Sequence, residues 1–326
     1  MQSLIRSFII LLGMIVSTAA SAQAWPQGKA ITLLVGYPPG GSTDMVARTI
    51  GDALGKRLGA TVIIENAAGA GGTIAAQKVV NAAPDGYTLL LGSGSEISIA
   101  RLFNSAVRYN GETDLSHIGL IGITPMVLLA GPKAGVKTLD EAITKSKQDP
   151  KRYSFASSGV GTPLHISGEL LNMIAGSNIR HVPYRGAAQQ VQDLLGGNIE
   201  FSISVLTSAL PHIESGKAIA LAVTTAQRAR IAPNVPAMAE HPKLKGYDMN
   251  VWFGLFGPAK IPTPMIIRLN KELGEVLRDP AVWQKLQAGG ISNDGGSPAQ
   301  LSSFIRAETA RVKSVVTRAI ASGSIS

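Results

Sequence analysis

Two short segments of this sequence place glycine and hydroxyl side chains between an apolar run and the start of a helical pattern. They are "YPPGGSTD" at residues 37–44 and "SSGVGTPLH" at residues 157–165. The first four N–H groups of a helix lack an intrahelical acceptor, and the helix dipole adds partial positive charge there. Glycine lets a ligand approach the backbone, and serine and threonine add hydroxyl donors. The two segments together predict an anion site between two helix N-termini.

A carboxylate fits such a site, although neither segment contains a lysine or an arginine. Each hydrogen bond to a charged oxygen contributes roughly 1.5–3 kcal/mol, and a helix N-terminus about 0.3–1 kcal/mol. Four or five such bonds reach the roughly −8 kcal/mol of a micromolar complex after ordering costs. Each segment alone is also typical of a capped turn without a ligand. Their repetition in both halves of the chain favours the binding site.

The elements that must position these segments form a β/α alternation. Residues 31–36 predict a buried strand, residues 43–58 an amphipathic helix with apolar residues every four positions, and residues 61–65 a second strand. This βαβ unit implies a parallel pair of strands with a right-handed crossover. The alternation continues to the C-terminus with roughly nine strands, so the sequence predicts an α/β fold with parallel sheets.

The helix starts carry their own sequence markers. Ser42 or Thr43 is expected to cap the first helix, with Asp44 in its first turn, where the dipole favours an acid. In the second segment, Thr162 is the expected N-cap and Pro163 the first helical residue.

The long apolar run at residues 117–132 contains Pro125. It is too long for one ordinary strand, and the proline suggests a chain that passes from one sheet to another. One open sheet of nine strands is possible. Two smaller sheets, joined near Pro125 and again near residues 246–250, explain the long crossing strands better.

The N-terminus has the three parts of a secretory signal peptide. Arg6 lies in a short basic region, residues 8–16 are apolar, and residues 22–24 read Ala-Gln-Ala. The alternative is a membrane anchor, but the apolar stretch is shorter than the about 20 residues that a bilayer requires. We expect residues 1–24 to be a signal peptide cleaved after Ala24, which places the mature protein in the periplasm.

Composition excludes several kinds of chemistry. The absence of cysteine removes disulfides, thiolate metal sites and cysteine nucleophiles. The formal net charge is +9, but the 30 lysines and arginines are scattered without aromatic interleaving, so we expect no nucleic-acid partner. The histidines show no metal-ligand spacing and we expect no metal; they are His117, His165, His181, His212 and His241.

Motifs for catalysis fail on spacing. The glycines of "AAGAGG" at residues 67–72 resemble a dinucleotide fingerprint, but Ile74 occupies the place where glycine or alanine is required. The chain contains no G-x-S-x-G segment, and the serine and histidine within residues 157–165 lack an orienting acid nearby in sequence. We therefore expect neither an enzyme nor a cofactor.

Six segments in order resemble one family over nearly the whole mature chain. They are "YPPGGSTD", "ENAAGAGGTIAAQKVVNAAPDGYTLLLGS", "SSGVGTPLHISGELL", "HVPYRGAAQQVQDLLGGNIEF", "SGKAIALAVTTAQR" and "VWFGLFGPAKIP". The chain resembles the tripartite tricarboxylate transporter receptors, also called Bug or TctC-like extracytoplasmic solute receptors. The resemblance implies a two-lobed periplasmic binding protein of the type II-like kind, with a mainly parallel sheet flanked by helices in each lobe. We expect residues 25–124 plus 247–326 to form lobe 1 and residues 125–246 to form lobe 2.

The resemblance implies that the loops of residues 39–44 and 157–162 hold a ligand carboxylate, often with ordered water. We add to the predicted site the residues at the strand ends around these loops. Among them, Tyr37 is expected to form a wall of the ligand site. The predicted ligand-binding residues are Tyr37, Pro39, Gly40, Gly41, Ser42, Thr43, Asp44, Ser93, Ser95, Glu96, Ser157, Ser158, Gly159, Gly161, Thr162, His165, Tyr184, Arg185 and Ser204.

Alternatives remain open at several of these residues. Tyr184 and Arg185 follow a strand and are candidates to line the cleft from the second lobe. In the alternative, Arg185 faces solvent or fixes acidic groups of its own lobe. A structural hydrogen bond is the favoured role for His165.

Two departures from the family pattern affect ligand choice. After the third strand this chain reads "GSGSEISIARLFNS", with Glu96 at the predicted cleft rim, and Ser204 stands where many members carry aspartate. Glu96 either meets a donor at the far end of the ligand or caps the following helix. Dicarboxylates, aromatic carboxylates and acidic amino acids all remain candidates.

The function implied by the resemblance is capture of a small carboxylate between closing lobes and its delivery to the membrane subunits of a tripartite tricarboxylate-type transporter. We expect the receptor to be a monomer. The alternative is a receptor of the same fold that signals through a membrane sensor.

Overall fold

The computed structural model describes residues 25–292 and 295–321. The predicted signal peptide, residues 1–24, lies outside the described residues. Nine strands occur along the described chain: β1 (Ile31–Val35), β2 (Val62–Asn66), β3 (Thr88–Ser93), β4 (Leu115–Ala130), β5 (Ser154–Ser157), β6 (Arg180–Pro183), β7 (Phe201–Val205), β8 (Ile219–Val223) and β9 (Asn250–Pro258).

Helices connect these strands, and several begin directly after a strand end. In chain order they are α1 (Ser42–Leu58), α2 (Thr73–Val80), α3 (Ala100–Phe103), α4 (Leu139–Gln148), α5 (Pro163–Ala175), α6 (Ala187–Gly196), α7 (Leu206–Glu214), α8 (Thr263–Arg278), α9 (Pro280–Ala288) and α10 (Pro298–Ala321). No helix within the described ranges is both long enough and apolar enough to cross a bilayer.

The strands form two groups that share β4. The first group follows the order β2-β1-β3-β9-β4, and the second continues β4-β7-β5-β6, with β8 also paired to β4. The predicted βαβ unit of β1, α1 and β2 is present, and β1 pairs in parallel with both β2 and β3.

The run around Pro125 is one continuous strand, so the prediction that it is too long for a single strand is wrong. Residues 115–125 pair with β9, ending with Pro125 opposite Asn250, and Met126 then pairs with Val205 of β7. Pro125 therefore lies where the pairing partner of β4 changes from β9 to β7. Proline lacks an N–H donor, and at this position the missing donor falls at the end of a hydrogen-bond ladder and not within one. The predicted passage from one group of strands to the other occurs at this residue.

The sheet is mixed rather than mainly parallel. β5 pairs in parallel with β6 and β7, but β4 is antiparallel to β7, β8 and β9, and β9 is antiparallel to β3. The reason is topological: β4 carries the chain from the first group to the second and β9 carries it back. The two crossing strands therefore run in opposite directions.

The apolar core is continuous across both groups. One cluster of buried residues extends from Ile31 and Leu33 of β1 through Met126 of β4 to Phe201 of β7. Trp252 and Phe256 of β9 are buried with Leu301 of α10. The fold thus places the carboxyl ends of β1, β3, β5, β6 and β7 beside helix or turn starts.

Candidate ligand-binding site

A cavity of about 670 Å³ lies between the two groups of strands. Its wall contains the starts of α1 and α5, which the sequence analysis placed at the site. It also contains the starts of α6 and α7, which the sequence analysis did not place there. Each of these helices follows a strand of the sheet, so their free N–H ends meet at one place.

The start of α1 differs in one detail from the prediction. Gly41 is the N-cap, so neither Ser42 nor Thr43 caps the helix. Gly40 has φ of +87°, a left-handed conformation that favours glycine. The Asp44 carboxylate accepts from the N–H of Gly40 at 3.0 Å and fixes this turn. As a result, the Ser42 hydroxyl lines the cavity and has no partner among the described residues.

Asp44 does not line the cavity, because its carboxylate is used within its own lobe. It accepts from Arg48 at 2.9 Å and from Asn66 at 3.0 Å. Burial works in the opposite direction, but these hydrogen bonds lower the pKa of Asp44. Its negative charge is therefore held by donors of the protein, and it organises the loop.

The start of α5 is capped as predicted. The Thr162 oxygen accepts from the N–H of His165 at 3.3 Å, and its hydroxyl donates to the carbonyl of Gly159 at 2.8 Å. Pro163 is the first helical residue. Gly161, with φ of +73°, donates its N–H to Nδ1 of His165 at 3.2 Å. Thr162 touches the cavity, but its hydroxyl proton is used to hold the loop.

A cluster of polar side chains, of which Ser157 and His165 are buried and His181 is half-buried, supports this second loop from behind. His165 and His181 stack with ring centroids 4.0 Å apart, and Ser157 Oγ lies 2.6 Å from Nε2 of His181. Burial lowers the pKa of His165 to about 4 and, together with His165, that of His181 to about 3. The rings are thus neutral, and Ser157 and His165 position the loop without lining the cavity, as favoured for His165.

The N-terminus of α6 contributes Gly186, Ala187 and Gln190 to the wall. In this segment the predicted site ends at Arg185 and omits the start of α6. The signal was present: "YRGAAQQ" has the same order of strand, glycine and helix as the two predicted loops.

Arg185 lines the cavity mouth, is exposed, and has no acidic partner among the described residues. Tyr184 instead turns away, and its hydroxyl donates to Asp193 at 2.7 Å.

Glu96 is not at the cleft rim, so that prediction is wrong. Its side chain is buried, and its two oxygens accept from the N–H and the hydroxyl of Ser93. The carboxylate reaches back over three residues to the end of β3, and Gly94, the N-cap of the helical turn at residues 95–99, has no side-chain cap hydrogen bond, so Glu96 does not cap that turn either. Ser93, Ser95 and Tyr37 stand between Glu96 and the cavity.

The predicted site residues therefore divide into two sets. Those that line the cavity are Tyr37, Pro39, Gly40, Gly41, Ser42, Thr43, Ser93, Ser95, Ser158, Thr162, Arg185 and Ser204. Those that do not line it, because their side chains or backbone are engaged behind the wall, are Asp44, Glu96, Ser157, Gly159, Gly161, His165 and Tyr184. In the described ranges no group of three or more histidine or acidic side chains could hold a metal ion.

Two groups of strands that share crossing strands, with helix starts converging on the cavity between them, define a two-lobed solute-binding protein. The sequence matches the model of the tripartite tricarboxylate transporter family receptor, TctC, over residues 46–320, and the chain belongs to this family. The family is one of receptors rather than enzymes, in agreement with the sequence analysis.

Solved structures agree with this assignment. Rpa4515 of R. palustris, solved with adipate, is 32% identical, with a TM-score of 0.84 over 90% of this chain and 97% of that one. The periplasmic binding protein BugD is 30% identical, with a TM-score of 0.82 over 89% and 97%. MatC (Rpa3494) of Rhodopseudomonas palustris, solved with bound malate, is 30% identical, with a TM-score of 0.81 over 88% and 98%.

Proposed function

We propose that this protein is a periplasmic receptor that captures a small carboxylate between its lobes and delivers it to a tripartite tricarboxylate-type membrane transporter. One observation carries the proposal: helix starts from both groups of strands border the same cavity. The N–H groups of Gly41, Ser42 and Thr43 have no acceptor within the described chain, and the Ser42 hydroxyl beside them is free. These donors suit an anion.

Electrostatics support a small anion. Arg185 is the one charged side chain on the cavity wall within the described residues. The ligands of two related structures, adipate and malate, are both dicarboxylates. A carboxylate at the helix starts, with Arg185 at the mouth, matches this distribution of charge.

The organisation of the receptor belongs to the same proposal. We place the lobe boundaries at residues 124/125 and 246/247, next to the change of partner at Pro125 and the start of β9. Export through cleavage after Ala24 is supported by the sequence of residues 1–24 and by the relationship to BugD, a periplasmic binding protein. We propose that the mature receptor acts as a monomer.

Calorimetric titration of unfolded, dialysed and refolded protein with C4–C8 dicarboxylates, aromatic carboxylates and acidic amino acids tests capture. At least one should bind with micromolar affinity, and the uncharged diamides should not. Binding of none of the acids would contradict the proposal.

Delivery needs a separate test. Tagged receptor, with and without a ligand found by titration, is incubated with solubilised membranes of the source cell. We expect the transporter subunits to be retained more strongly with ligand, and capture of a sensor protein instead would favour the signalling alternative.

A further inference from the structure

A buried carboxylate lies directly behind one part of the cavity wall. Glu96 is 2% exposed, and its oxygens accept from the backbone N–H of Ser93 at 2.6 Å and from the Ser93 hydroxyl at 2.8 Å. Ser93 lines the cavity, whereas Glu96 does not. Because the hydroxyl proton of Ser93 is directed at Glu96, the Ser93 oxygen can act only as an acceptor toward any other group, whether the neighbouring phenol of Tyr37 or a ligand. Ser93 is therefore an acceptor toward a ligand.

A second acceptor comes from α6. Gln190 is fully buried and lines the cavity. Its amide nitrogen lies within hydrogen-bond distance of two backbone carbonyls, those of Ala156 and Ile203, and this fixes the orientation of the amide because carbonyls only accept. Its amide oxygen has no partner among the described residues. A buried acceptor without a donor is costly, so a donor from the ligand would complete it.

The charge behind Ser93 has the sign that favours a cation. No basic side chain of the described residues pairs with Glu96, and the titratable groups that face it are the neutral phenols of Tyr37 and Tyr109. Burial raises the pKa of Glu96 to about 7. A cation near Ser93 would favour the ionised carboxylate, so binding of such a ligand near neutral pH would release a proton.

We propose that the ligand carries, beside its carboxylate, a protonated amine that donates to Ser93 Oγ, with Gln190 Oε1 as a second acceptor. Glu96 acts as a positioning residue that keeps the Ser93 hydroxyl turned away from the ligand. The inference rests on the proposed carboxylate receptor and narrows its substrate class to small amino acids. A second carboxylate in place of the amine would bring its oxygens against the acceptor oxygens of Ser93 and Gln190. Neither side would then supply a hydrogen-bond donor, and binding would be weaker.

Matched ligands and one isosteric variant test the proposal. Titration calorimetry at pH 8 compares succinate with malate and aspartate, and glutarate with 2-hydroxyglutarate and glutamate. The amino member of at least one series should bind about tenfold or more tightly than its plain diacid. In Glu96→Gln, the new amide donates to Ser93 Oγ and frees the Ser93 proton for the cavity, so this preference should fall about tenfold.

The matched control is Glu169→Gln. Glu169 is also buried and burial also raises its pKa, to about 7, but it lies beside His165 behind the second loop and does not line the cavity. The control should keep the preference of the wild type. Titration near pH 7 in buffers of different ionisation enthalpy should show proton release for the wild type and the control, and none for Glu96→Gln.

The outcomes separate the two proposals. Plain diacids that bind as tightly as their amino counterparts would leave the carboxylate receptor intact and overturn the amine, as would a preference for the hydroxy acids. An amine preference unchanged in Glu96→Gln would overturn the role of Glu96. Binding by no member of either series would overturn the amine inference, and failure of the broader carboxylate panel as well would overturn the receptor proposal.

Discussion

At the scale of single residues, two hydroxyls at two helix starts have different roles. Ser42 is the first residue of α1 and its hydroxyl is free, whereas the Thr162 hydroxyl bridges Gly159 and His165. The same type of side chain therefore faces the cavity without a partner in the described chain at one loop and caps the helix at the other.

We expect Ser42→Ala to weaken binding of a carboxylate by about 1–3 kcal/mol, because it removes a donor to a charged oxygen. The free energy of unfolding without ligand should change little, since the serine caps nothing. Calorimetric titration and urea denaturation measure the two quantities. Equal affinity of variant and wild type would exclude the Ser42 hydroxyl from the site.

Thr162→Ala should lower the stability of the protein without ligand, which Ser42→Ala should leave nearly unchanged. Loss of an N-cap costs about 0.5–2 kcal/mol of stability, and urea denaturation without ligand should detect it. Thr162→Ser retains the oxygen and the proton and is the control that should restore most of the loss. An alanine variant as stable as the wild type would show that the cap is not needed.

At the scale of elements, the second loop depends on neutral histidines. Because burial lowers the pKa of His181 to about 3, the unfolded chain takes up a proton below its ordinary value near 6.5 while the folded protein does not. The stability from this residue is therefore present above pH 6.5 and is lost as the pH falls toward 3.

His181→Gln should accordingly have a weaker loss of stability between pH 6.5 and 4 than the wild type. The measurement is the difference in free energy of unfolding between the two proteins across this window. Glu96 and Glu169, whose raised pKa values give the opposite pH dependence, are present in both proteins, so their contributions cancel in this difference. A difference that does not change with pH would contradict the assignment of a neutral, buried ring.

The sequence is sufficient for most elements because periodicity and caps are local properties. Helix α5 begins at Pro163 and β3 ends at Ser93, close to the predicted positions. The mixed sheet was not predictable because it depends on distant partners, through the path of β4 and β9. The cap at Gly41 was missed for a local reason: the Asp44 carboxylate turns back to the N–H of Gly40, a contact that residue types alone do not specify. Glu96 was placed at the rim because local sequence does not reveal that Ser93, not the cleft, would supply its donors.

At the scale of the whole molecule, the two lobes share one apolar core and two crossing strands. Residues of both groups belong to the same buried cluster, and α10 packs near Trp252 and Phe256 at one end and buries Val312 and Val315 with the larger core at the other. Separation of the lobes would expose this core, so partial unfolding of one lobe should be costly.

We therefore expect one cooperative unfolding transition in scanning calorimetry, with equal calorimetric and van't Hoff enthalpies. A ligand at 100 times its Kd should add about 2.7 kcal/mol to the free energy of unfolding without splitting the transition. Two resolved transitions, of which only one responds to ligand, would show that the lobes fold independently.

The free N–H groups at the helix starts have a consequence for how such a receptor can diversify. Peptide amides are common to every amino acid except proline, so few substitutions at these positions would abolish the attraction for an anion. Mutations elsewhere on the wall, at Ser93, Gln190 or Ser204, can alter which molecules are accepted while the charged end stays anchored. In the proposed site, ligand specificity can therefore change through a few side-chain substitutions while the affinity for a carboxylate is retained.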